Sequence, residues 1–464
     1  MKAKKQKVQY VCTNCGHTSP RWMGRCGGCG EWNTLEEQVH KPSEKARERT
    51  GTESRQGGAA TRIADVSMED AARLRTGIGE LDRALGGGPV AGGVVLLGGD
   101  PGIGKSTLLM QALGALASAG KRALYVSGEE SASQIALRAK RLGAPGMEDV
   151  RVLATTDLED AEGAIQSDKP QVCVVDSIQT IGTRDLSSSP GTVSQIREVA
   201  SRLIDVAKRQ RIALFLIGHV TKDGAIAGPK VLEHLVDTVL AFEGDRSHAF
   251  RLVRATKNRF GPAQEVGVFE MVRDGLREVP DPSALFLAER PKAAAGSVVV
   301  PTAEASRPLL IELQALVAPA AYGSPRRVVT GVDGNRLAIL LAVLDRRARV
   351  RVLDRDVFAS ITGGARVSER ALDLALAVAV VSSLKDVAVP ADVAVFGEVG
   401  LAGEVRAVPR PGPRIAEAKK LGFRHVIVPA ANAAQLRDSE REGVDITPVK
   451  SLAEALDVTL AITP

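Results

Sequence analysis

Residues 94–107 read VVLLGGDPGIGKST. A short apolar run enters a glycine-rich turn and leaves it into the helical pattern STLLMQALGALAS. Gly99, Asp100, Pro101, Gly102, Ile103, Gly104, Lys105, Ser106 and Thr107 satisfy the phosphate-loop pattern G-x4-G-K-S/T without departure. In that context the pattern is a mechanism. Backbone N–H groups of the loop and of the helix N-terminus wrap phosphates. Lys105 reaches the β and γ phosphates, and the Ser106 hydroxyl binds Mg²⁺. A chain built around such a loop needs a buried strand on one side and a helix on the other, which restricts the fold to α/β.

Three further apolar runs repeat the design. RALYVSG (122–128), VCVVDS (172–177) and IALFLIGH (212–219) are short, continuous and flanked by amphipathic segments. Strands of this kind, interleaved with helices, indicate a mostly parallel sheet covered on both faces. The C-terminal edge of such a sheet faces the ligand. Asp176 ends one strand there and reads as the second anchor of the magnesium site, or as a simple helix cap. Glu129 and Glu130 follow another strand. One of them orients or deprotonates the attacking water, or both are solvated acids at a helix start. His219 ends a third strand and reads as a γ-phosphate sensor or as a satisfied polar strand end. Cys173 lies inside its strand and reads as an inert core thiol.

The other four cysteines are Cys12, Cys15, Cys26 and Cys29. Two C-x2-C pairs so close together close a tetrahedral Zn²⁺ site, with redox chemistry the weaker alternative. A segment this small has no core of its own, so metal supplies its folding energy. His17 reads as a bystander. Lys2, Lys4, Lys5 and Lys7 precede a polar stretch without an apolar segment, which predicts no signal peptide, and no apolar run is long enough to span a membrane. The expectation is a soluble, reduced, cytoplasmic protein.

The net charge is +6, but residues 1–60 hold eleven basic against six acidic side chains, so most of the surplus is N-terminal. Charge of this size does not establish a polyanion partner by itself. Aromatic residues make up 3% of the chain, which argues against a surface tiled with stacking rings. The domains expected are a four-cysteine zinc module at 1–36, a linker at 37–60, an ATPase domain at 61–280, a Pro-punctuated linker at 281–296, and a second α/β domain at 297–464. The last contains strand-like SVVVP and VIVP and an Ala/Leu-rich helix near 369–384.

Taken together, CTNCGHTSPRWMGRCGGCGEWNTLEE, GGDPGIGKSTLLMQ, YVSGEES, VVDSIQT, GHVTKDGAIAGPKVLEHLVD and the pentapeptide Lys257-Asn258-Arg259-Phe260-Gly261 resemble the bacterial RadA (Sms) family over essentially the whole chain. The resemblance implies a RecA-like ATPase core and a hexameric ring similar to DnaB-type helicases. It also implies a homo-oligomer that moves on single-stranded DNA and branched recombination intermediates beside RecA. It assigns Lys257 and Arg259 to the nucleotide of a neighbouring subunit, Arg259 as the finger. From the residues alone, KNRFG is only a basic turn. Asn258 reads as holding that turn, and Phe260 as packing. Segments 183–195 and 221–230 are candidate DNA-facing loops.

Residues 297–464 resemble the proteolytic domain of Lon, notably in GEVGLAGEVRAVPRPGPRIAEAKKLGF (397–423). The nucleophilic Ser of that pattern falls near Ala371 and its Lys near Gly412. Ser368, Lys419 and Lys420 lie off register, so a Ser–Lys dyad is missing. This domain is expected to be a scaffold, inactive as a protease. Arg326, Arg327, Arg346, Arg347, Arg349 and Arg351 form basic clusters. The last three alternate as on one face of a strand, to track phosphates or to pair with Asp345, Asp354 and Asp356. The sequence therefore predicts an ATP-, Mg²⁺- and Zn²⁺-dependent DNA motor of recombination and repair. A nucleotide-gated DNA- or partner-binding factor without unwinding activity is the alternative, and a Lon-like protease a second rival.

Overall fold

The structure, a computed structural model, describes residues 8–12, 17–28, 30–32, 34–39, 62, 73–219, 231–244, 250–263, 265–291, 294–303, 307–320, 323–362 and 367–461. Two compact units emerge, Met1–Glu243 with Arg251–Glu278, and Gly244–Phe250 with Val279–Pro464. In the amino-terminal segment β1 (Val8–Cys12), β2 (Thr18–Ser19) and β3 (Leu35–Val39) pair antiparallel in the order β2-β1-β3.

The large sheet of the first unit uses β4 (Val94–Gly99), β5 (Ala123–Ser127), β6 (Arg151–Ala154), β7 (Val172–Asp176), β8 (Ala213–His219), β9 (Thr238–Glu243), β10 (Phe250–Asn258), β11 (Val266–Val272) and β12 (Gly275–Glu278). Their order is β12-β11-β10-β9-β4-β8-β7-β5-β6. From β9 to β6 all neighbours are parallel, whereas β10 turns back antiparallel on β9. The apolar runs are continuous because β4, β5 and β7 are buried at every position. Successive side chains point to opposite faces, and each face carries a separate core. Val95, Leu97, Tyr125 and Phe215 pack under the helix Lys105–Ser118 through Leu109, Leu113 and Leu116. Leu96, Val126, Val175 and Leu216 meet the helices Leu158–Asp168 and Val193–Gln210 through Leu158, Ile165, Ile196 and Leu203. Full burial of such a side chain contributes roughly 1.5–3 kcal/mol, which makes the double-faced sheet the rigid frame of the unit.

The second unit is built on β13 (Ser297–Thr302), β14 (Leu309–Pro319), β15 (Arg327–Thr330), β16 (Arg355–Ile361), β17 (Val393–Val395), β20 (His425–Pro429) and β21 (Asp445–Val449), ordered β15-β16-β14-β13-β17-β20-β21. A separate ribbon pairs β18 (Glu398–Val399) with β19 (Val405–Arg406). The helix Leu372–Lys385 is buried from Leu372 through Ser382, and its buried Asp373 pairs with Arg336.

The arginine stripe expected at 347, 349 and 351 does not exist as a strand. The apolar positions Leu337, Leu340, Leu341 and Leu344 keep helical spacing, and the helix Gly334–Arg347 runs through the first of the three arginines. Arg349 then adopts a left-handed backbone with φ 57°. Alternation in sequence is therefore not alternation on a pleat here. Arg326 is paired with Asp356, 2.6 Å away, and Arg327 donates to the Leu353 carbonyl at 2.9 Å.

Candidate functional site

Four parallel strands end at one edge of the first unit's sheet. Gly99 is in register with His219, and Ser127 with Asp176. The phosphate loop leaves from Gly99, and Gly104 starts the following helix with φ 119°, a conformation that suits glycine. A Cβ at Gly104 would also meet Met271 Cε at 2.8 Å. Lys105, 4% exposed, donates to the carbonyls of Gly99 (2.6 Å) and Asp100 (2.9 Å). Burial of the ammonium lowers its pKa below the ordinary lysine value, against the opposing fields of Asp176, Glu129 and Asp100. The structure thus brings Lys105 and three carboxylates of this edge into one electrostatic unit.

Asp176 is buried at the end of β7, and the Asp176–Ser177 peptide is cis. Tyr125 donates its hydroxyl proton to Asp176 Oδ2. Ser177 Oγ donates to Glu129 Oε1 at 2.6 Å. Ser127 Oγ accepts the backbone N–H groups of Glu129 (3.3 Å) and Glu130 (3.0 Å), fixing the turn after β5. Gly128 lies in that turn, where a Cβ would stand 2.3 Å from Thr180 Oγ1. The two glutamates then diverge. Glu129 is held beside Ser177, whereas Glu130 pairs with Arg138, 2.5 Å away. Tyr125, Arg138, Ser127 and Ser177 were not singled out by sequence reasoning. The only signal was a polar ring inside an otherwise aliphatic strand.

Lys257 and Arg259 lie at the opposite edge. Antiparallel pairing sets Asn258 against Thr238, the first residue of β9. The Arg259 N–H donates to the Asp237 carbonyl (3.0 Å), and the Asp237 N–H donates to Val94 (3.0 Å), where β4 begins. The five steps between the six residues of β4, at ~3.3 Å each, separate this edge from the phosphate loop by about 17 Å. Lys257 Nζ donates to the carbonyls of Glu233 (2.6 Å) and Val236 (2.8 Å). Asn258 does hold the turn, donating to Leu85 O (3.2 Å) and accepting from the Phe260 N–H (3.0 Å). Phe260 stays 41% exposed. Of the candidate loops, 183–195 is tied down by Gln195, which donates to Thr183 O (3.0 Å) and Ser188 O (2.8 Å). The loop 221–230 lies outside the described residues.

In the amino-terminal module Cys12 and Cys26 are buried, and Gly28 N–H donates to Cys26 Sγ at 3.3 Å. An N–H aimed at a sulfur two residues back suits a thiolate that ligates metal. Cys15 and Cys29 lie outside the described residues, and no group of three or more metal-ligating side chains occurs among the described ones. In the second unit Ala371 is buried, Lys419 Nζ donates to Glu442 O (2.5 Å), and Lys420 Nζ to Asp281 Oδ2 (2.8 Å). Among the described residues, no helix is long and apolar enough to cross a membrane.

Known proteins match along the whole chain. The rubredoxin metal binding domain family matches residues 10–37, the AAA domain family residues 61–225, and the family of subunit ChlI of Mg-chelatase residues 362–432. The DNA repair protein RadA of Pseudomonas aeruginosa is 51% identical over 453 residues, covering 98% of this chain and 99% of that protein. Its namesakes in Escherichia coli and Bacillus subtilis are 47% and 46% identical, each again covering 98% of this chain and 99% of the relative. The AAA match spans the phosphate loop and its carboxylates, so the chain is an ATP-hydrolysing enzyme. With near-complete coverage at about half identity, it belongs to the bacterial RadA family of DNA repair ATPases.

Proposed function

We propose that the chain is a DNA-dependent ATPase of homologous recombination that works as a hexameric ring, moving on single-stranded DNA and promoting branch migration of recombination intermediates with RecA. The observation that carries the ring is the distance between Lys105 and Arg259 along the sheet. An arginine side chain falls well short of the length of β4, so Arg259 and Lys257 serve a neighbouring subunit's nucleotide.

Within one subunit, the loop N–H groups and Lys105 bind the phosphates of ATP. Asp176 and the Ser106 hydroxyl hold Mg²⁺. Their fit is supported by the buried carboxylate of Asp176 acting on Lys105. Magnesium, when bound, neutralises charge on the β- and γ-phosphate oxygens. Glu129, fixed by Ser177 beside Lys105, orients and deprotonates the attacking water. His219, level with Gly99, reads the γ-phosphate. Cys12, Cys15, Cys26 and Cys29 hold Zn²⁺ as a folding element. The second unit is a Lon-like scaffold for ring assembly without proteolytic chemistry.

Mixing variants tests the shared site. Lys105→Ala and Arg259→Ala chains are each expected to lose turnover, and Arg259→Ala to keep nucleotide binding. Mixed rings should recover part of the turnover, because some interfaces pair an intact loop with an intact finger. Mixtures as dead as their components would refute the shared site. Strand displacement on forked DNA, with and without RecA, then separates a motor from a nucleotide-gated binding factor.

A further inference from the structure

Glu130, Arg138, Tyr125 and Asp176 form one continuous chain of contacts across the sheet edge. Arg138 Nη2 lies 2.5 Å from Glu130 Oε2 and donates to the Tyr125 hydroxyl oxygen at 3.1 Å. The same guanidinium sits 5.7 Å from the centre of the Tyr125 ring. Tyr125, 0% exposed, donates a hydrogen bond from its hydroxyl to Asp176 Oδ2. The chain has a firm base. Arg138 belongs to the helix Ala132–Leu142, whose start is locked by a capping box between Ser131 and Gln134.

We propose that Tyr125 and Arg138 are positioning residues for the magnesium side of the nucleotide site, pinning one carboxylate oxygen of Asp176 so that the other faces the metal. Glu130 adds an ion pair to Arg138 at the outer end of this device. The proposal rests on the reading of Asp176 as a magnesium anchor. A guanidinium that donates to a phenol oxygen draws electron density from it and strengthens its O–H as a donor. A carboxylate held at one oxygen keeps one orientation, and metal ligands held by such outer partners bind more tightly.

The test measures binding of a fluorescent ATP analogue while Mg²⁺ is titrated, with a parallel measurement in chelator, and then turnover against Mg²⁺. For Tyr125→Phe, which keeps the ring, the Mg²⁺ needed for half-maximal binding is expected to rise about tenfold. Binding in chelator should be unchanged, and turnover should recover at saturating Mg²⁺. Arg138→Met should shift the midpoint in the same direction, and Arg138→Lys by less. Arg138→Met also carries the test should Tyr125→Phe fail to fold. Asp176→Asn is the control. If it shifts the midpoint and neither Tyr125→Phe nor Arg138→Met does, the positioning role is overturned while the magnesium reading stands. If Asp176→Asn leaves the midpoint unmoved, the magnesium reading falls and the proposal with it. Equal weakening with and without Mg²⁺ in Tyr125→Phe would show a packing role alone and overturn the proposal.

Discussion

Arg259 Nη1 stands 3.2 Å from Asp237 Oδ1, and the other oxygen of that carboxylate accepts the Val94 N–H at 3.1 Å. One buried acid thus joins the candidate finger to the first residue of the strand that carries the phosphate loop. The two partners contribute unequally to stability. Asp237 is 5% exposed, and Asp237→Ala leaves the buried Val94 N–H without its carboxylate acceptor. It should destabilise the protein by about 2 kcal/mol. The Arg259 side chain is 52% exposed, so Arg259→Ala should cost roughly 0.5 kcal/mol in stability while abolishing turnover. Urea titrations of the two variants check this contrast. Comparable losses would make Arg259 a structural residue.

Lys105 gives the nucleotide-free protein a pH signature. Burial lowers its folded pKa below the ordinary 10.5, so the unfolded chain holds that proton more tightly. Stability contributed by this group therefore rises as pH climbs through the depressed folded value and is complete above 10.5. The difference in urea midpoint between wild type and Lys105→Met, followed from about pH 7 to pH 10, isolates the effect from other titrating groups. Wild type should gain on the variant with rising pH. A constant difference would mean that Lys105 is not desolvated.

The parallel strands and the phosphate loop were legible in sequence because both are local. Four consecutive apolar residues, Val94 to Leu97, before a glycine-rich turn admit few conformations. The place of Arg259 was not legible, since apolar runs do not reveal that β10 turns back antiparallel and carries KNRFG to the far edge. Nor was the partition of Glu129 from Glu130. It depends on Arg138 and Ser177, which reach the two glutamates from different elements. The two-residue spacing of arginines at 347–351 makes no strand, because the helical register of Leu337, Leu341 and Leu344 just before it carries the chain through Arg347.

Cys173 lies in β7 with no exposed surface, and burial pushes its thiol up to about 12. Only a thiolate is nucleophilic, so native Cys173 should resist iodoacetamide at about pH 8. It should react fully once the chain is unfolded. Peptide mass mapping after labelling with and without denaturant measures this. Native labelling would mean that the sheet opens at β7.

The chain's two tryptophans, Trp22 and Trp32, both lie in the amino-terminal module, 56% and 69% exposed, on either side of Gly24. Tryptophan emission therefore reports on that module alone. Among the described residues its buried apolar cluster is Cys12, Cys26 and Leu35 with Tyr10 against them, and so short a segment needs metal to offset the entropy of ordering. In nucleotide-free protein, a chelator should release zinc and shift the emission, because the rings lose their fixed neighbours. The urea transition of the large sheet, followed by far-UV circular dichroism, should stay where it was, since its cores are built without these residues. Zinc release with unchanged emission would show that the module holds its shape without metal.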